Sequence, residues 1–218
     1  MEINRIAIIE NDFTEKFGIP RQSGLTEMRS RIVFEPGYSD PNSLRGLEDF
    51  THIWLIWGFS EVEERGFIPT VRPPRLGGNV RKGVFATRSP FRPNRLGLSV
   101  VRIESIEPGV LTVSGADLMN GTPIFDIKPY IPYADCVPEA SNGWSSSTTS
   151  SVLEVVISQD VLSIIPQDKR DILIELLAQD PRPQYQNSPE RLYTMAYGRF
   201  QVTFQVSGNK LYVLAVRE

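Results

Sequence analysis

A mainly β chain, a small β-barrel followed by a small α+β unit, is what three features of this sequence predict. Short runs of β-branched and aromatic residues recur through the first half, each closed by Gly, Pro, Asn or Asp. A Ser/Thr-rich stretch, "VPEASNGWSSSTTSS" (137–151), then interrupts the pattern. None of the 16 glycines stands two residues from another, so the G-x-G loop of a Rossmann fold is missing.

The expected strands are "INRIAIIE" (3–10), "RIVF" (31–34), "HIWLIWGF" (52–59), "GVFAT" (83–87), "LSVVRIESI" (98–106) and "VLTVSG" (110–115). "EPG" joins the last two as a hairpin. "DPNSLRGLEDF" (40–50) predicts one short helix, with Asp40 as N-cap and Pro41 in the first turn. Many short strands with long Pro/Gly loops favour a barrel or sandwich over a βαβ array. Residues 1–138 are therefore expected to form the barrel domain, 139–151 a linker and 152–218 a small α+β domain. Trp144 stands out within the linker and suits a role pinning it to a neighbour.

In the C-terminal part a strand is predicted at 152–157, then a helix over "PQDKRDILIELLAQD" (166–180), with Ile172, Leu173, Leu176 and Leu177 on one face. "RFQVTFQVSGNKLYVLAVRE" predicts a hairpin turning at Gly208-Asn209, with Val202, Phe204 and Val206 facing Leu211, Val213 and Ala215. A unit of this size is marginal alone and is expected to pack on the main domain or a partner.

Composition narrows the chemistry. Of 218 residues, 40% are apolar and 22% charged, an ordinary globular balance. No apolar run is long enough for a signal-peptide core or a membrane span. One cysteine, Cys136, has no partner for a disulfide, which predicts a cytoplasmic setting. With one histidine, His52, beside it, an all-protein zinc site is not expected. Walker A, G-x-S-x-G and H-E-x-x-H motifs are absent.

A net charge of −3 argues against indiscriminate nucleic-acid binding, yet it hides an asymmetry. From Arg65 to Arg102 there are eight arginines and one lysine, with no acid among them. Arginine in Pro/Gly-stiffened backbone suits rigid, bidentate anion contacts. Four clusters carry the candidate residues, three of them with arginine. "FGIPRQSGL" (17–25) offers Arg21 and Gln22, and "TVRPPRLGGN" (70–79) offers Arg72 and Arg75. "FATRSPFRPNRLGLS" (85–99) carries Arg88, Arg92 and Arg95. "DLMNGTPIFDIKPYIPYAD" (117–135) presents Asp117, Asn120, Asp126, Lys128 and Tyr130; Asp126 and Lys128, two apart on one strand face, read by themselves as a surface ion pair. Such loops converge at one end of a barrel, where these folds build sites.

Together "PRQSGL", "GLEDFTHIWLI", "RPPRLGGNVRKGVFATRSPFRPN", "LGLSVV" and "DLMNGTPIFDIKPYIPYAD" resemble, in order and spacing, the TsaA-like (TrmO) family. The resemblance spans residues 3–136, and "LLAQDPRPQY" (176–185) is similar to the C-terminal domain of bacterial members. It implies S-adenosylmethionine-dependent methylation of N6 of threonylcarbamoyladenosine beside the tRNA anticodon. It also implies a cofactor-binding barrel outside the Rossmann class and a homodimer with cofactor sites near the subunit contact. Carried over by motif, Pro20, Arg21, Gln22, Ser60, Glu61, Arg88, Leu98, Asn120, Gly121, Thr122 and Pro123 are the expected cofactor contacts. Arg21 or Arg88 suits the methionine carboxylate. Arg72, Arg75, Arg92 and Arg95 are expected on the tRNA side. Asp126 and Tyr130 are the candidate bases, with Lys128 steadying the substrate's anionic group.

The chain departs from the family's common pattern in three places. Ser60-Glu61 replaces His-Gln, adding a negative charge suited to a cationic cofactor; Arg95 lies where "PNRLG" replaces "PNPIG"; Asn120 replaces a frequent Asp. Two other readings stand beside the leading one: a non-catalytic RNA-binding or regulatory barrel, and a methyltransferase acting on a different substrate.

Overall fold

The computed structural model of the chain describes residues 2–62, 67–73, 76, 79–148, 152–182 and 188–218. Its first half contains β1 (Ala7–Glu10), β2 (Arg29–Phe34), β3 (His52–Gly58), β4 (Thr70–Val71), β5 (Lys82–Gly83), β6 (Leu96–Glu107), β7 (Val110–Ser114) and β8 (Pro123–Pro129). Six of these close into an antiparallel barrel in the order β1-β2-β7-β6-β3-β8, while β4 and β5 form a separate ribbon. The period-2 alternation of the barrel strands sends Ile9, Ile32, Ile53, Leu55, Val101, Leu111, Val113 and Ile124 inward, all essentially inaccessible to solvent. A short α1 (Pro132–Asp135) follows β8.

Two expectations fail here for local reasons. The single helix at 40–50 is two 3-10 turns, Pro41–Leu44 and Leu47–Asp49. Asp40 does cap the first, accepting from the Asn42 amide at 2.9 Å, but Gly46 between the turns takes φ 87° and ends the helical path. "GVFAT" is strand only at Lys82–Gly83; Val84–Ala86 is a 3-10 turn. Its partner β4 is bracketed by Pro69 and Pro73, which have no N–H to extend a ladder.

The C-terminal part is a four-stranded sheet packed on helix. In chain order it has β9 (Glu154–Ile157), α2 (Gln159–Ser163), α3 (Gln167–Ala178), β10 (Tyr193–Tyr197), β11 (Phe200–Ser207) and β12 (Lys210–Arg217). The sheet order is β10-β11-β12-β9. Sequence periodicity missed α2 and β10, which are too short to establish a period. Leu173, Leu176 and Leu177 of α3 are buried and Ile172 packs beside them. The β11–β12 hairpin turns at Gly208-Asn209 as expected, with Ser207 opposite Lys210. A bulge shifts the register between Thr203 and Phe204, so Val216 takes the buried position expected for Ala215.

This sheet does not close its core alone. Phe13 and Met28, from the loop between β1 and β2, are buried inside it, and Phe17 and Ile19 pack against the same core. Burying Phe13 and Met28 contributes roughly 1.5–3 kcal/mol each. Polar ties surround them: Lys169 pairs with Asp12, the Ala196 amide donates to Glu15 Oε1 at 2.7 Å, and the Gly198 amide donates to the Asp12 carbonyl at 2.8 Å. The partly exposed Lys169–Asp12 pair contributes less than about 1 kcal/mol, so apolar burial holds the loop and the polar ties set its register. Trp144 also pins its segment, donating from Nε1 to the Ala86 carbonyl at 3.0 Å.

Candidate functional site

The C-terminal end of β3, the start of β8 and the loop after β1 meet at one end of the barrel. There they enclose a cleft of about 480 Å³. Trp57, Phe59, Phe91, Ile19 and Leu118 supply apolar walls; Lys16, Ser60, Glu61, Asp117 and Thr122 supply the polar groups. An apolar cleft of this size with few converging polar groups is the usual form of a small-molecule site.

Asp117 is the most constrained of them. Trp57 Nε1 donates to Ser99 Oγ at 3.0 Å, and Ser99 Oγ–H donates onward to Asp117 Oδ1 at 2.5 Å. Gly97 opposite Trp57 has no side chain, and a Cβ there would overlap the indole ring. Desolvation raises the Asp117 carboxyl above its usual range, opposed by the Ser99 hydroxyl, by backbone N–H groups and by the Arg88 charge. Arg88 in turn donates to Gln22 Oε1, joining the first and third arginine-bearing loops.

The turn before β8 is tied to the end of β1. The Asn120 amide donates to the Phe13 carbonyl at 2.8 Å, Asn120 Oδ1 accepts from the Asn11 amide at 3.0 Å, and the Gly121 amide donates to the Ile9 carbonyl at 2.8 Å. Thr122 is buried against the cleft, ahead of Pro123 at the start of β8. Lys16, donating to the Glu61 carbonyl, and Phe91 are cleft residues that sequence reasoning missed; Asp117 stood within a quoted motif without a role.

Other expected residues lie elsewhere. Arg21 Nη2 donates to the carbonyls of Asp180 and Arg182 at 2.6 and 3.0 Å, anchoring the C-terminal domain; of the two arginines considered for a carboxylate, Arg88 is the one beside Asp117. Pro20 is buried next to Ile19. Arg92 Nη1 donates to the Thr87 and Ser89 carbonyls, both at 3.1 Å, and so holds its own loop. Arg95 lines a second hollow of about 540 Å³ that shares Gly58, Phe59 and Ser60 with the cleft, and its Nη1 donates to the Val62 carbonyl at 3.4 Å. Arg72 is exposed, and Arg75 lies outside the described residues.

Leu98, Asp126, Lys128 and Tyr130 do not line the cleft. They occupy the outer face of β6, β3 and β8, where Leu98 faces Ile56, Ile56 faces Asp126 and Trp54 faces Lys128. Asp126 and Lys128 form the plain ion pair, at 3.0 Å with both side chains about half exposed. Tyr130 packs against Trp54 and His52. Partial desolvation first, then Cys136 and Asp135, push its phenol above the usual range, which disfavours a phenolate base.

A closed barrel with an acid-bearing aromatic cleft at one end, and no G-x-G loop, defines a cleft-bearing β-barrel outside the Rossmann class. Comparison with known proteins gives the family. The tRNA-methyltransferase O N-terminal domain matches residues 8–136, and the TrmO C-terminal domain matches 150–218. The chain is 37% identical to the tRNA (adenine(37)-N6)-methyltransferase of Escherichia coli (strain K12), over 99% of this chain and 97% of that one. To the protein of the same name from Eikenella corrodens it is 45% identical, over 77% of this chain and 97% of that one. A crystal structure of TrmO from Pseudomonas aeruginosa superposes with a TM-score of 0.82 at 33% identity, covering 100% of this chain and 99% of that one. The chain belongs to the TrmO family.

Proposed function

We propose that this chain is a tRNA (adenine-N6)-methyltransferase that binds S-adenosylmethionine in the barrel-end cleft and methylates N6 of threonylcarbamoyladenosine at position 37. The observation that carries this reading is the cleft's donor set. Asp117 and Glu61 suit a cationic ligand and the aromatic walls suit an adenine; Arg88 beside Gln22, outside the cleft lining but near enough for its charge to act on Asp117, suits a carboxylate. Bound S-adenosylmethionine supplies an electrophilic sulfonium methyl. The chain's own residues orient the two reactants, exclude water and accept the proton that N6 sheds.

Of the two carboxylates that line the cleft within one protomer, Glu61 is exposed and Asp117 is desolvated, and we assign Asp117 that proton. Asp126, Tyr130 and Lys128, which the motif suggests for proton transfer and substrate contact, take part only where a second copy brings its outer face to the cleft. Leu98, 54% exposed on that face beside Trp54 and Ile56, supports a homodimer formed through it. Leu98→Asp is then expected to sediment as a monomer where the unaltered chain sediments as a dimer. A monomeric unaltered chain, or a dimeric variant, would sink this contact.

A tRNA substrate carries a cytoplasmic location with it. The decisive experiment for the activity is transfer of labelled methyl from S-adenosylmethionine into tRNA bearing the threonylcarbamoyl group. Incorporation at N6 of nucleotide 37 is expected; folded protein that labels none of several tRNA pools would refute it.

A further inference from the structure

The cleft accounts for one nucleoside, but the arginine-rich ribbon beside it carries a pair of aromatics that cleft chemistry does not use. Phe67 is 52% exposed and Phe85 72% exposed, and their rings stack with centroids 6.1 Å apart and planes 23° from parallel. Burying either ring would gain roughly 1.5–3 kcal/mol, so two large apolar rings held side by side in water suggest a ligand surface. Hydrogen bonds hold their support. Val84 N donates to the Pro69 carbonyl at 3.0 Å, Arg81 Nη1 donates to Thr70 Oγ1 at 3.0 Å, and Trp144 secures the Ala86 carbonyl from behind.

The surroundings are cationic. From Phe67 to Ile103 the sequence has no Asp or Glu. Arg72 and Arg81 are exposed on the ribbon, and Lys82 is half-buried on it. The ribbon also adjoins the cleft: Ile68 N approaches the Phe91 carbonyl at 3.5 Å, and Phe91 lines the cleft wall. Exposed aromatics set in a field of arginine are how proteins hold unpaired nucleobases, the ring taking the base and the cations the phosphates.

We propose that Phe67 and Phe85 form a stacking platform for an unpaired base of the tRNA anticodon loop, beside the cofactor cleft. This rests on the tRNA reading above. Stacking is sequence-tolerant, so the platform supplies affinity and orientation and not recognition of the target nucleoside.

The test measures tRNA binding over a series of salt concentrations for the unaltered chain, the Phe67→Ala/Phe85→Ala double variant, Phe85→Trp and Arg81→Ala. Calorimetric binding of S-adenosylmethionine reports that each is folded. The double variant is expected to bind on the order of 10- to 100-fold more weakly with an unchanged salt slope. Phe85→Trp should keep its affinity, and Arg81→Ala should reduce the slope by about one. A double variant that binds tRNA like the unaltered chain overturns the platform alone. So does one whose oligomeric state changes while tRNA affinity does not, because the rings then belong to a protein contact. An unaltered chain that binds no tRNA overturns the platform and the functional reading together.

Discussion

Asp117→Asn is expected to lower kcat by about 10²- to 10⁴-fold, the range for loss of a positioned general base, and to weaken S-adenosylmethionine binding by far less, because Glu61 keeps a negative charge in the cleft. Asparagine keeps the shape and still accepts the Ser99 hydroxyl that now bonds Asp117 at 2.5 Å, so the cleft wall is preserved. The pH profile supplies a second signature. Only the carboxylate can take a proton, so the rate of the unaltered enzyme falls as pH drops through the raised Asp117 pKa. The variant lacks that acid limb. Stability moves the opposite way. A carboxyl whose folded pKa lies above its unfolded value of about 3.8 favours folding below that value, and this contribution is lost as pH rises through the folded pKa. At neutral pH Asp117→Asn therefore removes an unfavourable buried charge, and the melting temperature should rise as activity is lost. Kinetics and melting curves on one preparation check both.

The competing assignment is tested alongside. Asp126→Asn breaks a half-exposed pair with Lys128, an interaction contributing at most about 1 kcal/mol to stability. If this variant loses most of its activity while Asp117→Asn keeps it, the proton goes to the outer face and the cleft assignment is wrong.

These two acids show where sequence reasoning reaches and where it stops. Asp126 drew attention because its partner is two residues away, on the same strand face. Asp117 acquires its character from Ser99, 18 positions earlier on β6, and Ser99 is fixed by Trp57, 42 positions earlier again on β3. No local period encodes a relay across three segments. Arg21 fails the same way, since the carbonyl it binds on Asp180 lies 159 positions on. Ser60, Glu61 and Thr122 were legible because motif order carries them to the barrel end with the strands. The strands themselves were legible through alternation and Pro/Gly punctuation. The bulge that moves burial from Ala215 to Val216 was not, because strand pairing decides it.

Gly18→Ala tests whether the C-terminal domain serves the cleft, and should damage both folding and cofactor binding. Gly18 has φ 98°, a region that L residues avoid, and a Cβ there would fall within contact radius of Met195 Sδ and Cγ. Met195, on β10, is 1% exposed and has no solvent side into which to swing. Backbone strain and overpacking each cost on the order of 1–3 kcal/mol, predicting a melting temperature lower by roughly 5–15 °C. The functional effect follows from chain connectivity. Phe13 and Phe17 engage the C-terminal core, Lys16 between them lines the cleft, and Ile19 does both. Pushing Gly18 off Met195 therefore moves cleft wall, and S-adenosylmethionine affinity measured by calorimetry should fall with stability. Adding Met195→Ala opens the space that the new methyl needs, so the double variant should be less destabilised than the sum of the single changes. Strict additivity, or cofactor affinity unaffected by Gly18→Ala in folded protein, would show that the C-terminal domain does not buttress the site through this loop.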